Sequence, residues 1–364
     1  MRVIAFVIRK NSGSSQYYSA SVKPFVDLSY GLNLLGYNSV LLLHKMEKHL
    51  LGKIKTVTNK NVRVIFFEDH TLAEQLKEIN ADFVVVDDDL ETMKKLAVLK
   101  LDKIKKVVYV LYLYGVNSNR LFLRKRSLKL RIASILPWNF LTFFYRHYLS
   151  DFDFVISSSN TCGYMLDKFY DVNCSGTVYP PVGVDMRSII ERNKIKDKNG
   201  GILVFLGNIR NDFYLRDLSR EIYLLKSRLN AEIKLFATDK ETADHFLNMG
   251  FHVIYHVQVE ELVKLMSSSF FTYVPTTFEL FGYVGAESLL CGTPVILDTY
   301  HPFMERLSAI SNSVIISNPK RSIADELISI GSSYPDVHAA QNEVYSNYSP
   351  EESAKMLLKA LGIF

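Results

Sequence analysis

The sequence predicts an α/β protein of two tandem domains, each a parallel sheet covered by helices on both faces. Three observations predict it. The chain of 364 residues exceeds the usual size of a single core. Short apolar runs without polar alternation recur along it, as in strands buried on both faces. Between those runs lie segments with apolar residues at helical spacing.

The elements follow in order. Residues 2–8, "RVIAFVI", read as a buried strand. Residues 21–35 carry Val22, Phe25, Val26, Leu28, Leu32 and Leu35 at helical spacing, and Gly36 is the stop signal. Strands are expected at "SVLLL", 62–67, 82–86 and 106–114, with helices near 71–79 and 89–98 between them. Two short runs, "DFVIS" (153–157) and "GTVYPP" (176–181), close the first half. Residues 191–201, "ERNKIKDKNGG", are charged, hold Gly-Gly and offer almost no core residue, which marks a linker. The rhythm then restarts with "ILVFLG" (202–207), "EIKLFA" (232–237), "HVIYH" (252–256), "FFTYVP" (270–275), "PVILD" (294–298) and "SVIIS" (313–317). Helices are expected near 214–228, 241–249, 259–267 and after 282. The tail has Ser349 as N-cap, Pro350 at N1 and Glu352 at N3, a capping box for a last helix. The predicted division is thus a Rossmann-like domain at 1–192, a linker at 193–201 and a second Rossmann-like domain at 202–348. A C-terminal helix at 349–364 would pack back on the first domain.

Composition narrows the function. At 48% hydrophobic and 22% charged the chain reads as a well-packed globular protein. A net charge of +5 tolerates an anionic ligand or a membrane surface without calling for nucleic acid. Cys162, Cys174 and Cys291 are odd in number and fit no metal spacing, and the nine histidines form no metal pattern. Reduced thiols in a cytoplasmic protein are the simplest reading. "MRVIAFVIRK" is too short and strand-like for a signal peptide. The longest apolar run, 132–144, contains Pro and Asn and falls short of the roughly 20 residues of a membrane span. The protein is expected to be soluble, or at most peripheral at the inner membrane face.

The stretch "ELFGYVGAESLLCGTPVI" (279–296) carries the chemistry. Ligands of open parallel sheets bind beyond the carboxyl ends of the strands, and two such domains face to face would make a cleft. A strand ending at Pro275 puts Thr276 to Gly282 in a loop at that end. Glu279 sits on this loop, and Gly282 lets the backbone approach a ligand closely. A helix starting near 282–283 aims its N–H groups and positive dipole at the same place, which suits a diphosphate. Glu287, one turn into the helix, can accept two hydrogen bonds from a vicinal diol such as a ribose. Glu279 can do the same for sugar hydroxyls. The geometry suits a nucleotide sugar.

These residues resemble the signature of the retaining GT-B glycosyltransferases, in particular glycosyltransferase family 4, the group 1 glycosyl transferases. Pro275, Thr276, Glu279, Phe281-Gly282, Glu287, Ser288, Gly292, Pro294 and Val295 match its pattern of conserved types and spacings. The resemblance implies two Rossmann-like domains across a cleft. It implies transfer of a hexosyl-like group from a nucleoside diphosphate sugar to a glycan, lipid-linked or protein acceptor, with no cofactor and no metal. It makes Glu279 the catalytic carboxylate. Glu287, Phe281, Gly282, Tyr283, Gly207 and Arg210 become donor-binding residues.

The match is looser elsewhere. The family's glycine-rich loop after the first strand falls on Ser19-Ala20, or on Gly13. Its first-domain His falls on Tyr114, which can hydrogen-bond a hydroxyl or merely pack at a strand end. Its diphosphate-binding Arg and Lys fall on Asn208 and Phe213, with Arg210 and then Arg216 the nearest guanidinium groups. The segment 119–149 sets Arg124, Lys125, Arg126 and other basic residues ahead of Trp138, Phe140, Phe143 and Phe144. It reads as an anionic-membrane contact, or as a solvated basic helix before a core helix. Two other readings of the chain stand beside the transferase. One is a nucleotide-sugar-binding scaffold subunit. The other is a further GT-B enzyme, such as an epimerase, or a phosphorylase with a pyridoxal-binding Lys.

Overall fold

The computed structural model describes residues 2–9, 22–58, 61–111, 113, 138–193, 198, 201–206, 212–255, 257–275, 281–297, 307, 312–317, 321–330 and 335–364. The chain forms two compact units, Met1–Val184 with Asn347–Phe364, and Asp185–Ser346.

The first unit holds a seven-stranded sheet in the order β3-β2-β1-β4-β5-β6-β7. Its strands are β1 (Val3–Ile8), β2 (Asn38–His44), β3 (Arg63–Phe67), β4 (Phe83–Asp87), β5 (Lys105–Val110), β6 (Phe154–Ser157) and β7 (Gly176–Thr177). Every pairing is parallel. All six residues of β1 are buried, which explains its unbroken apolar reading. Because β1 pairs with both β2 and β4, the direction of winding reverses between β1 and β4. That is the switch point of the sheet.

The helices of this unit are α1 (Lys23–Leu34), α2 (Leu51–Val57), α3 (Leu72–Glu78), α4 (Leu90–Val98), α5 (Trp138–Leu149) and α6 (Asn160–Tyr170). A 3-10 helix, Lys45–Leu50, precedes α2. It, α2 and α6 go beyond the elements the sequence predicts. α6 begins where Ser159 accepts a hydrogen bond from Cys162 N at 3.1 Å. α1 ends as predicted, with Gly36 left-handed at φ +81°.

α14 (Pro350–Ala360) belongs to the same unit, and Ser349 caps it by accepting from Glu352 N. Ala354, Leu357, Leu358 and Leu361 join the core of β1, α1, β4 and β5. Gly31 of α1 makes the approach possible, since a Cβ there would lie 2.0 Å from the Pro350 carbonyl oxygen.

Two strands are shorter than the sequence predicts. β5 stops at Val110, because the amides of Leu111 and Leu113 turn to the Asp88 carboxylate and Leu113 is left-handed at φ +47°. β7 stops at Thr177, ahead of Pro180 and Pro181, which have no N–H to give a ladder.

The second unit holds a six-stranded sheet, β10-β9-β8-β11-β12-β13. Its strands are β8 (Ile202–Leu206), β9 (Ile233–Ala237), β10 (Val253–Tyr255), β11 (Phe271–Val274), β12 (Val295–Leu297) and β13 (Val314–Ile316), again all parallel. The helices are α7 (Val184–Asn193), α8 (Asp212–Leu229), α9 (Lys240–Asn248), α10 (Val259–Ser268), α11 (Tyr283–Leu290), α12 (Ile323–Ile330) and α13 (His338–Asn347). β8 pairs with both β9 and β11, so this sheet switches between β8 and β11.

Candidate functional site

The candidate site lies on the connection from β11 to α11, at the carboxyl edge of the second sheet beside its switch point. β11 is held between β8 and β12. After Pro275 the chain enters α11 through Gly282, whose φ of +84° is left-handed and favours glycine. Gly282, as the N-cap residue, has no side chain to offer the first-turn amides. The positive end of the helix and its first-turn amides therefore mark a position suited to an anion.

The seating of α11 is dictated by small polar groups. Ser288 donates its hydroxyl to Thr272 Oγ1 of β11 at 2.8 Å and stands 3.1 Å from the Thr293 carbonyl. Thr293 in turn donates to the Met266 carbonyl. Gly292, left-handed at φ +73°, ends the helix, and Gln341 Nε2 donates to the Leu290 carbonyl at 2.8 Å. Lys198 joins this turn by donating to Thr293 Oγ1, and burial brings its ammonium down to about 8.

Of the residues the sequence singles out, Phe281, Gly282, Tyr283 and Glu287 are described. They stand together on this connection. Phe281 is buried, and its ring meets Tyr283 edge-on with centroids 4.9 Å apart. Glu287 is half-buried one turn into α11. Burial pushes the neighbouring Cys291 thiol up to about 12, with the Glu287 charge adding to the rise. Glu279, Gly207, Arg210, Gly13, Ser19, Tyr114, Arg124, Lys125 and Arg126 lie outside the described residues. Among the described residues no group of three or more His, Cys, Asp or Glu is arranged to hold a metal ion. Among them, too, no helix is long and apolar enough to cross a membrane.

Within the first unit the sequence reading misses one buried polar cluster. Asp88, wholly buried at the carboxyl end of β4, gathers donors from the segment after β5 and from α5. Three consecutive aspartates, Asp87 to Asp89, at the end of an apolar strand were the signal available for it.

No family model and no curated protein matches the sequence. Solved structures do. A glycosyltransferase from Rickettsia africae is 14% identical, with 100% of this chain and 98% of that one covered at a TM-score of 0.66. Sucrose-phosphate synthase from Thermosynechococcus elongatus is 12% identical over 100% and 98%, at 0.71. The fold is that of the GT-B glycosyltransferases. UDP-GlcNAc 2-epimerase from Neisseria meningitidis shares it at 11% identity and a TM-score of 0.58, over 99% of each chain. At these identities the likeness is one of fold.

Proposed function

We propose that the protein is a retaining glycosyltransferase. It takes a nucleoside diphosphate sugar as donor and a glycan, lipid-linked or protein hydroxyl as acceptor. The observation that carries this reading is Glu287 one turn into a helix that opens from left-handed Gly282 beside the switch point of the second sheet. In this reading the diphosphate meets the N-terminus of α11, and Glu287 takes the ribose diol. Glu279 holds sugar hydroxyls and offsets positive charge growing at the anomeric carbon. The barrier is cleavage of the anomeric C–O bond. The helix dipole, loop amides and Arg210 lower it by stabilising charge on the departing diphosphate. The acceptor attacks from the same face, and the leaving phosphate takes its proton.

A peripheral membrane contact belongs to the same proposal. Residues 112–150 hold no Asp or Glu but seven Lys or Arg. In α5, Phe143 and Phe144 are 64% and 42% exposed. Such a composition beside exposed aromatic rings suits anionic headgroups.

The test is incubation with a panel of UDP- and GDP-sugars, followed for release of nucleotide and for the anomeric configuration of the product. Turnover with retention supports the proposal. A second reading, an epimerase or a binding subunit, draws on the shared fold of the epimerase and on Asn208 and Phe213 in the slots for Arg and Lys. Interconversion of the sugar with the nucleotide intact, or binding without turnover, would favour that reading.

A further inference from the structure

Lys198 lies half-buried against the turn that ends α11, and its ammonium donates to Thr293 Oγ1. That hydroxyl gives its own proton to the Met266 carbonyl in the last turn of α10, at 2.6 Å. It therefore offers Lys198 a lone pair and no charge. Lys45, Lys95, Lys105, Lys168, Lys234 and Lys355 each pair with a carboxylate. Among the described residues Lys198 has no carboxylate partner.

The packed elements supply no other anion. Cys291 is buried and its thiol is pushed up to about 12, so it stays neutral near pH 8. The charge of Glu287 bears on Cys291 rather than on Lys198. The negative end of α11 favours a cation, but its last carbonyls are occupied. Ser288 O accepts from Thr293 N, Leu289 O from Gly292 N and Leu290 O from Gln341 Nε2. An ammonium here is desolvated without being paired, which favours the free amine, and burial brings Lys198 down to about 8. At pH 8 about half of such amines are neutral, against well under roughly one in a hundred for an ordinary lysine. A neutral, desolvated lysine amine is a nucleophile.

We propose that Lys198 is a modification site, a nucleophilic amine that takes a small acyl group from an acyl phosphate. The nitrogen attacks the carbonyl carbon and a C–N bond forms. The C–O bond to phosphate breaks, the phosphate leaves with the electron pair, and the amine proton passes to water. The product amide is neutral and keeps one N–H for Thr293. Modification thus removes a desolvated charge and preserves the tie to the turn that ends α11. This chemistry needs no nucleotide sugar and does not depend on the transferase reading.

The test exposes the native protein to acetyl phosphate between pH 7 and pH 10. The protein is then denatured, and the remaining amines are capped with deuterated acetic anhydride. Mass spectrometry of the peptides gives the rate at each lysine. At pH 8 Lys198 should acetylate at least tenfold faster than the exposed Lys94, Lys103 and Lys240. The gain falls short of the ratio of free amines because a less basic nucleophile is intrinsically weaker. The rate at Lys198 should level off above pH 8.5 while the rates at the exposed lysines keep rising. In denaturing urea the advantage should vanish, since it comes from the fold and not from Lys194 and Lys196 nearby in sequence. A rate at Lys198 no greater than at the exposed lysines would overturn the proposal. So would a rise with pH parallel to theirs, or an advantage that persists in urea.

Discussion

Ser288 donates its hydroxyl to Thr272 across the contact between α11 and β11, one residue beyond Glu287, and both side chains are wholly buried. The helix that carries the candidate ribose carboxylate is therefore located by a polar bond inside the core as well as by apolar packing. Truncating Ser288 leaves buried acceptors without their donor, at a cost of about 1–3 kcal/mol.

Ser288→Ala should lower the urea unfolding free energy by that amount. Ser288→Cys, which keeps the volume and a weak donor, should lose less. Nucleotide affinity should fall in Ser288→Ala as well, because the shift of α11 carries Glu287 with it. Unfolding curves indistinguishable from wild type would mean that apolar contacts alone seat the helix.

The two glutamates of the motif should divide the work. Glu287→Ala should weaken binding of free UDP or GDP by about 1–3 kcal/mol, the worth of hydrogen bonds to a charged group. Glu279→Gln keeps size and most hydrogen bonding, so nucleotide affinity should hold. Turnover at saturating donor should fall about a hundredfold or more, roughly 3 kcal/mol of transition-state stabilisation. Calorimetry on both variants beside transfer rates decides it. A Glu279→Gln enzyme near wild-type rate, or one that loses nucleotide as Glu287→Ala does, would contradict the assignment.

The architecture was legible because buried parallel strands are written as unbroken apolar runs, and β1, β4, β8 and β11 all read that way. The Glu287 helix was legible for a different reason. Gly282 and Gly292 bracket it, and both take the left-handed conformation that favours glycine. What the sequence hid is tertiary. The run from 106 to 114 looks like one strand, yet a carboxylate 25 residues upstream of Leu113 captures two of its amides and ends the ladder at Val110. Likewise Asn160–Tyr170 is helical around a core of Cys162, Leu166 and Tyr170, too sparse an apolar set to announce itself beside Gly163 and the charged residues between.

Asp87 should make stability depend on pH. Burial raises its pKa well above the usual carboxylate range, and the charges of Asp88 and Asp89 add to the rise. A carboxyl whose pKa is raised by folding contributes its full stability below the unfolded value of about 3.9 and loses it as pH rises through the folded value. Above the folded value the native state carries a desolvated charge that Asp87→Asn would remove. The stability difference between Asp87→Asn and wild type should therefore move in favour of the variant between pH 5 and pH 8.5. Urea midpoints across that range provide the measurement. A difference that stays constant would mean that native Asp87 is already ionised at pH 5 and that folding does not raise its pKa.

The exposed aromatic pair of α5 separates a membrane contact from an ordinary solvated helix. Phe143 and Phe144 meet edge-on, with centroids 5.9 Å apart, and both reach solvent. Arg146, two residues beyond Phe144, pairs with Asp171 at 2.7 Å, so the cation on this helix is partly spent within the protein. The proposed membrane contact therefore assigns the charge to Arg124, Lys125 and Arg126, which lie upstream in the sequence and outside the described residues. Two contributions of different physics are expected. Basic residues near an anionic surface are worth about 1 kcal/mol each and are screened by salt. Inserted aromatic rings contribute up to about 1.5–3 kcal/mol each, with little salt dependence. Neutralising the three basic residues should weaken co-sedimentation with phosphatidylserine-containing vesicles roughly a hundredfold and flatten its salt dependence. Replacing Phe143 and Phe144 by Ser should weaken binding at every salt concentration and leave the slope intact. Equal affinity for neutral vesicles, or no binding by wild type to either kind, would assign these residues to a solvated surface and remove the membrane from the proposed function.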